Sequence, residues 1–264
     1  MHTHRPRKRF GQHFLHDANV IQRIITAVAP APGDLLVEIG PGLGAITVPL
    51  LKACGRLHVV EIDRDVIPEL KNKCAGGGEL IVHNKDALQF NFTDLADGNL
   101  LRLTGNLPYN ISTPLLFHLL QFSHLLRDMH FMLQREVVDR MCAKENDAAY
   151  GRLSVMLACA CEVHSLFNIG KDAFSPPPKV ESAFVRLVPH AEPPFLIRDK
   201  RRFSAVVAQA FSKRRKTVRN ALKGLVDESV YEECGINPQL RPENLAPSQF
   251  AQLANMTADT GQIE

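Results

Sequence analysis

The sequence predicts an α/β protein with a parallel sheet and crossover helices, followed by a small domain that is wholly helical. From residue 34 onward, short apolar runs alternate with helix-like stretches, which is typical of consecutive βαβ units. After residue 192 only helical patterns remain, and three prolines between residues 189 and 194 mark a linker. A chain of 264 residues can form one medium and one small domain. We therefore predict domains over residues 1–192 and 193–264.

Each predicted strand is a short run rich in valine, leucine or isoleucine, and each helix follows a turn. In the first domain we expect strands at 35–39, 57–61, 79–83, 100–104 and 129–133, alternating with helices at 43–53, 66–74, 113–122 and 135–142. Two further strands are expected at 162–169 and 180–188, on either side of a proline-rich segment. The second domain is expected to contain helices at 202–211, 217–223, 230–234 and 248–255.

Composition narrows the class of protein. Hydrophobic residues make up 45% and charged residues 22%, which is ordinary for a globular protein and excludes general disorder. No apolar run is long enough to cross a bilayer, and the basic first ten residues lead into no apolar segment, so we expect a cytoplasmic protein. The six cysteines form no Cys-x-x-Cys pair and have no zinc-like spacing with histidine. We therefore expect reduced thiols and no metal site.

Positive charge is concentrated in two blocks, although the net charge is only +3. Such blocks suggest local contact with a polyanion, while solvated tails or helix faces explain either block alone equally well. The blocks are Arg5, Arg7, Lys8 and Arg9, and Lys213, Arg214, Arg215, Lys216 and Arg219.

A glycine-rich turn follows the first strand and contains Gly40, Gly42 and Gly44. Glycine lets the backbone approach a ligand closely, although a tight turn alone would also explain it. Glu61 ends the second strand 21 residues after Gly40, the spacing at which a carboxylate meets a ribose diol. The Gly-x-Gly-x-Gly spacing differs from the dehydrogenase pattern. The cofactor we expect is therefore adenosine-containing, with S-adenosylmethionine favoured over NAD.

Asp86 follows the third strand and has two interpretations. Its carboxylate could accept a hydrogen bond from the adenine amine of a cofactor, or it could cap the next turn, a role that aspartate often has. By itself, the residue favours the cap.

The segment Asn106-Leu-Pro-Tyr109 follows the fourth strand, at the carboxyl edge of the sheet. The Asn106 side-chain oxygen and the Leu107 carbonyl could accept both N–H groups of an exocyclic amine such as adenine N6. That geometry would favour a pyramidal nitrogen and direct its lone pair at a methyl donor. Pro108 would stiffen the turn and Tyr109 would stack on the base. A structural turn with a packed tyrosine is the alternative.

This segment resembles the Asn-x-Pro-Tyr motif of the ribosomal RNA adenine N6-dimethyltransferases, and other motifs agree in order along the chain. Arg9-Phe-Gly-Gln-His-Phe-Leu15 is similar to the family's N-terminal signature, and Phe174-Ser-Pro-Pro-Pro-Lys-Val-Glu-Ser182 to its later motif. The match is closest to the bacterial small-subunit members. It implies a Rossmann-like class I S-adenosylmethionine-dependent methyltransferase sheet with an RNA-binding helical domain.

The resemblance also implies residue roles. The residues expected at the cofactor are Gln12, His13, Leu15, Gly40, Gly42, Gly44, Glu61, Asp86 and Asn106. The expected catalytic set is Asn106, Leu107, Pro108, Tyr109 and Phe174, with Phe174 facing Tyr109 across the target base. His13 departs from the family, which commonly has asparagine there.

The activity that the resemblance implies is rRNA processing during ribosome biogenesis: dimethylation of two adjacent adenines in a 3′-terminal hairpin of small-subunit rRNA. The expected partner is that RNA or the 30S pre-ribosomal particle, with no DNA or membrane partner, and the expected state is a monomer. Three alternatives remain open. They are a resistance-type methyltransferase acting on large-subunit RNA, a non-catalytic assembly or transcription factor, and an NAD-binding oxidoreductase.

Overall fold

The computed structural model describes residues 13–96, 98–213 and 215–257. The chain forms two compact units, one of residues 1–138 and 164–189 and the other of residues 139–163 and 190–264. The chain passes between the units three times, after residues 138, 163 and 189, and the last of these points lies close to the predicted boundary at 192/193. The two earlier points were not predicted, since the sequence did not indicate that residues 139–163 group with the C-terminal helices.

The first unit is organised around a seven-stranded sheet. The strands of the chain are β1 (Phe14–Leu15), β2 (Leu35–Ile39), β3 (Arg56–Val60), β4 (Glu79–His83), β5 (Leu101–Asn106), β6 (Leu126–Gln134), β7 (Cys161–Ile169), β8 (Phe174–Ser175) and β9 (Ser182–Pro189). The order of the strands in the sheet is β4-β3-β2-β5-β6-β9-β7. The five strands from β4 to β6 are parallel, and β9 is antiparallel to β6. From β2 the chain adds β3 and β4 on one side and then returns to add β5 and β6 on the other side, so its winding direction reverses at the boundary between β2 and β5.

All four helices predicted between residues 43 and 142 are present, and the ends of three of them differ from the predicted ends. The predicted helix at 43–53 begins only at residue 47, because the glycine turn extends through the preceding residues. The helices are α1 (Ala18–Val28), α2 (Thr47–Cys54), α3 (Ile67–Cys74), α4 (Ser112–Leu120), α5 (Arg135–Cys142), α6 (Arg152–Ala158), α7 (Lys200–Ala210), α8 (Val218–Ala221), α9 (Glu228–Glu233) and α10 (Pro247–Thr257).

Helix α1 was not predicted, yet its signals are present. Asp17 caps it, accepting hydrogen bonds from the backbone N–H groups of Asn19 and Val20. Its C-terminus is held by Arg102 of β5, whose guanidinium donates to the carbonyls of Val28 and Ala29. The buried Arg102 is paired with two carboxylates, those of Asp34 at 2.6 Å and Asp128 at 3.0 Å. This network fixes α1 to the amino edge of the sheet.

The second unit packs its helices around a separate core that includes Val206 and Phe203 of α7 and Phe250 of α10. Helix α6 was also missed, because no element was predicted between residues 142 and 162. All six cysteines of the chain are free. Over the ranges that the structure describes, no helix is long and apolar enough to cross a membrane.

Candidate active site

A cleft of about 570 Å³ opens at the carboxyl ends of β2, β3, β4 and β5. This is the edge of an open parallel sheet at which ligands bind, next to the point where the chain reverses its winding direction. Its volume is within the range of small-molecule and cofactor sites. The lining comes from the loops that follow the four strands and from the segment at 13–16.

The glycine turn forms the floor of the cleft, and its backbone requires glycine. Gly40, Gly42 and Gly44 have φ angles of +70°, +52° and +84°, a region that side chains with a Cβ disfavour. A Cβ on Gly42 would lie 3.3 Å from the Phe14 ring, and one on Gly44 would lie 2.9 Å from Leu70 Cδ1. The three predicted glycines therefore line the cleft in a backbone conformation that favours glycine.

Glu61 lies beside this turn, as its spacing predicts. One carboxyl oxygen accepts a hydrogen bond from Gly42 N at 3.2 Å and the other from Asp63 N at 2.8 Å. Each oxygen has two lone pairs, so both can accept a further hydrogen bond from a ligand hydroxyl. Burial raises the pKa of Glu61, and the two backbone donors oppose that rise.

Asp86 lines the same cleft and also caps a turn. One carboxyl oxygen accepts from Leu88 N at 2.9 Å. The two interpretations of this residue are therefore compatible, because the cap occupies one lone pair only and the side chain still borders the cleft.

Glu38 and Ile62 line the cleft, although the sequence did not single them out as site residues. Glu38 is fully buried, and neither of its carboxyl oxygens has a hydrogen-bond partner among the described residues. Burial raises its pKa to about 8. Ile62 is 50% exposed and follows Glu61 directly in the cleft lining. A carboxylate inside the apolar run of β2 was the available signal for Glu38, whereas nothing local marked Ile62.

Asn106 and Leu107 present two acceptors at the end of β5. The Asn106 amide nitrogen donates to the His13 carbonyl at 3.1 Å. A carbonyl only accepts hydrogen bonds, so this contact fixes the orientation of the amide and leaves its oxygen available. Leu107 N donates to Met132 O, while its own carbonyl accepts no hydrogen bond within the described part of the chain. Both residues line the cleft.

Tyr109 is half-buried and held at two points. Its hydroxyl makes a hydrogen bond of 2.6 Å with Ser182 Oγ, and its ring stacks beside the His13 ring with centroids 5.7 Å apart. Burial raises the pKa of Tyr109. Pro108 also lines the cleft, and its carbonyl accepts from Ser112 Oγ at 3.1 Å. The tyrosine is therefore held in one orientation at the mouth of the site.

The remaining predicted residues divide into three cases. Leu15 is buried and borders the cleft through β1. Phe174 is 2% exposed, pairs with Leu15 in the β1–β8 ladder and is not part of the cleft lining. Its ring packs in the same hydrophobic core cluster as Leu15. Gln12 lies outside the described residues.

The basic blocks are only partly described. Residues 1–12 and Arg214 lie outside the described ranges. Lys213, Arg215 and Lys216 are exposed in the segment after α7, and Arg219 is paired with Glu228 at 2.9 Å. Within the ranges that are described, no group of three histidine, cysteine, aspartate or glutamate side chains is placed to hold a metal ion.

The sheet and cleft define a Rossmann-like α/β protein with the architecture of class I methyltransferases. The chain belongs to the ribosomal RNA adenine dimethylase family, whose model matches residues 3–259. It is 52% identical over 263 residues to the ribosomal RNA small subunit methyltransferase A of Marinobacter nauticus, with coverage of 100% of this chain and 95% of the relative. It is 54% identical over 251 residues to the protein of the same name in Methylococcus capsulatus, with coverage of 95% and 97%.

Two solved structures have a similar fold. A dimethyladenosine transferase from Plasmodium falciparum matches with a TM-score of 0.78 and 26% identity, covering 93% of this chain and 98% of that chain. The 23S rRNA methyltransferase ErmE matches with a TM-score of 0.70 and 23% identity, covering 93% and 100%. The second likeness concerns the fold alone.

Proposed function

We propose that this protein transfers methyl groups from S-adenosylmethionine to N6 of two adjacent adenines in a 3′-terminal hairpin of small-subunit (16S) rRNA. The product is N6-dimethyladenosine, formed during ribosome biogenesis. Membership of the adenine dimethylase family supports the reaction, and the names of the full-length relatives support the small-subunit substrate. The observation that carries the chemistry is the pair of available acceptors at Asn106 and Leu107, in the cleft lining.

The residues in the cleft fit the proposed cofactor. The glycine turn lines the cleft with backbone that carries no Cβ, the Glu61 carboxylate retains lone pairs for a ribose diol, and Ile62 offers an apolar side chain to an adenine ring. Asp86 borders the same region and can accept from the adenine amine. When bound, S-adenosylmethionine supplies an electrophilic methyl group on a sulfonium centre. Gly40, Gly42, Gly44, Glu61 and Asp86 would hold it, with His13, Leu15 and Gln12 at its border.

The chain's own groups would prepare the target amine. The lone pair of adenine N6 is delocalised into the ring, which makes the nitrogen a poor nucleophile. Asn106 Oδ1 and the Leu107 carbonyl would each accept one N–H, favouring a pyramidal nitrogen whose lone pair points at the methyl group. Tyr109 would stack on the unpaired base, and Pro108 would stiffen the turn. The methylated nitrogen is an acidic cation that loses its proton to solvent, so no strong general base is needed.

Binding of the RNA would rely on phosphate contacts as well as on the base. Lys213, Arg215 and Lys216 are exposed and would contact phosphates, so affinity should fall as salt rises. We place the reaction in the cytoplasm, on rRNA or the 30S pre-ribosomal particle, with the protein acting as a monomer.

The direct test is methyl transfer from labelled S-adenosylmethionine to unmethylated small-subunit particles, with large-subunit particles and naked RNA in parallel. Mass analysis of the digested RNA should find dimethyladenosine at two adjacent positions of the small-subunit RNA. Label confined to large-subunit RNA would instead favour the resistance-type activity. Cofactor binding without any transfer would favour a non-catalytic assembly role.

Asn106→Ala tests the acceptor pair. The variant should retain cofactor binding within a few-fold and lose turnover by about a hundredfold or more, because one acceptor for the N–H groups is gone. Isothermal titration with the cofactor and single-turnover methyl transfer measure the two effects separately. Unchanged turnover in Asn106→Ala would contradict the acceptor-pair mechanism.

A further inference from the structure

His13 connects three segments of the site that are far apart in the sequence. Its carbonyl accepts from Asn106 Nδ2 at 3.1 Å, across 93 residues. Its ring Nδ1 makes a hydrogen bond of 2.8 Å to the Pro176 carbonyl, across 163 residues. Its ring also stacks beside Tyr109, with centroids 5.7 Å apart and planes inclined by 28°. One residue therefore contacts both ends of the Asn106–Tyr109 segment and the proline-rich segment.

The chemistry of these contacts determines which atoms remain available. A carbonyl oxygen only accepts, so the Pro176 contact requires a hydrogen on His13 Nδ1 and fixes the orientation of the ring. The backbone contact likewise turns the Asn106 amide so that its oxygen is left for a substrate N–H. Both contacts form before any base arrives, which reduces the ordering that binding must impose.

Tyr109 is the side chain that the His13 ring restrains. Ser182 holds the tyrosine hydroxyl at one end of the ring, and His13 contacts the ring itself. A lone hydroxyl contact would leave rotation about the ring axis free, whereas a second ring alongside restricts it. Asparagine, common in the family at this position, can donate to the Pro176 carbonyl but has no ring to place against the tyrosine.

We propose that the His13 side chain is a positioning residue for the target adenine, holding the Tyr109 ring against the proline-rich segment so that the base stacks in one orientation. This inference rests on the proposed function and goes beyond a contact with the cofactor. It assigns to the imidazole an effect on the methyl-transfer step, through Tyr109, that is separate from any effect on cofactor affinity.

Three substitutions separate the two side-chain contacts. His13→Asn keeps a donor for Pro176 without a ring, His13→Phe keeps a ring without the donor, and His13→Ala removes both. We expect His13→Ala to lower kcat at saturating cofactor by about ten- to a hundredfold, since small misplacements near the reacting groups have effects of this size. The two single-contact variants should fall between His13→Ala and the parent. Cofactor Kd should change less than about threefold, a change of well under 1 kcal/mol. His124→Ala, at an exposed histidine outside the cleft lining, is the control and should match the parent.

A spectroscopic measurement reports the base directly. The chain contains no tryptophan, so an RNA fragment with 2-aminopurine at the target position gives a fluorescence signal with little protein background. Stacking quenches this probe, and His13→Ala should leave it brighter in the bound complex than the parent does.

The outcomes are distinct. Parent-level kcat in His13→Ala would overturn the inference. If the cofactor Kd of that variant also weakened by as much as kcat/KM falls, His13 would act only as a cofactor contact. Absence of methyl transfer by the parent protein contradicts the proposed function itself, and it is measured first. Thermal unfolding of each variant identifies any loss that comes from misfolding.

Discussion

Glu38 makes the stability of the first unit depend on pH in a direction that can be worked out from its surroundings. The side chain is fully buried at the end of β2, and neither oxygen has a hydrogen-bond partner among the described residues. Burial is the main reason that the pKa rises to about 8, and the charge of Glu61 acts in the same direction. The carboxyl is therefore neutral in the folded protein at neutral pH.

The sign of the effect follows from proton linkage. The folded pKa of Glu38 is raised above the unfolded value of 4.5, so between these values the folded state retains a proton that the unfolded state has released. The contribution of Glu38 to the free energy of unfolding is fully present below pH 4.5, and this contribution is lost as the pH rises towards 8. A difference of about 3.5 in pKa corresponds to roughly 5 kcal/mol, at about 1.36 kcal/mol for each pH unit.

Glu38→Gln removes the titration while preserving the shape of the side chain. We expect the difference in the free energy of unfolding, Glu38→Gln minus parent, to increase by roughly 3–5 kcal/mol between pH 5 and pH 8, because only the parent loses stability over this range. Urea unfolding followed by far-ultraviolet circular dichroism at three pH values measures the difference. Glu136→Gln, at an exposed position of α5, is the matched control and should leave the pH dependence of the parent unchanged.

The reasoning is refuted if the parent and Glu38→Gln have parallel stability curves between pH 5 and pH 8. That result would mean that the carboxyl titrates at its ordinary pKa, and hence that water or another group solvates it in the folded state.

Two further predictions concern the scaffold. Arg102→Met should reduce the free energy of unfolding by about 3–5 kcal/mol, because it leaves the buried Asp128 carboxylate without its charged partner. Chemical denaturation measures the loss, and a loss below about 1 kcal/mol would contradict a structural role for the pair. Gly44→Ala should weaken cofactor binding in calorimetry, because the new Cβ would lie 2.9 Å from Leu70 Cδ1 at a φ of +84°. Gly76→Ala has a comparable φ of +76° with no atom within 4 Å, so it should lose stability while retaining cofactor affinity; equal loss of affinity in both would indicate a general folding defect.

The sheet was predictable because its strands are marked locally. The apolar runs of β2 and β4 are bounded by turn residues, and their observed limits equal the predicted ones. The glycine turn and Glu61 were predictable for a related reason, since their separation along the chain is set by one βαβ unit. Helix α1 could also have been found from its Asp17 cap and its apolar spacing.

Tertiary structure alone decided which residues meet in the cleft. The contact of His13 with Pro176 joins residues 163 positions apart, and no local pattern encodes such a pairing. Phe174 depends on the fold in the same way, since only the tertiary structure pairs it with Leu15 and buries its ring in the core. The burial of Glu38, and with it the raised pKa, depends on every element packed around the end of β2. Sequence thus determined the strands, the glycine turn and the candidate motifs, because these depend on neighbours along the chain. Side-chain orientation, burial and electrostatics were decided by the fold, because they depend on neighbours in space.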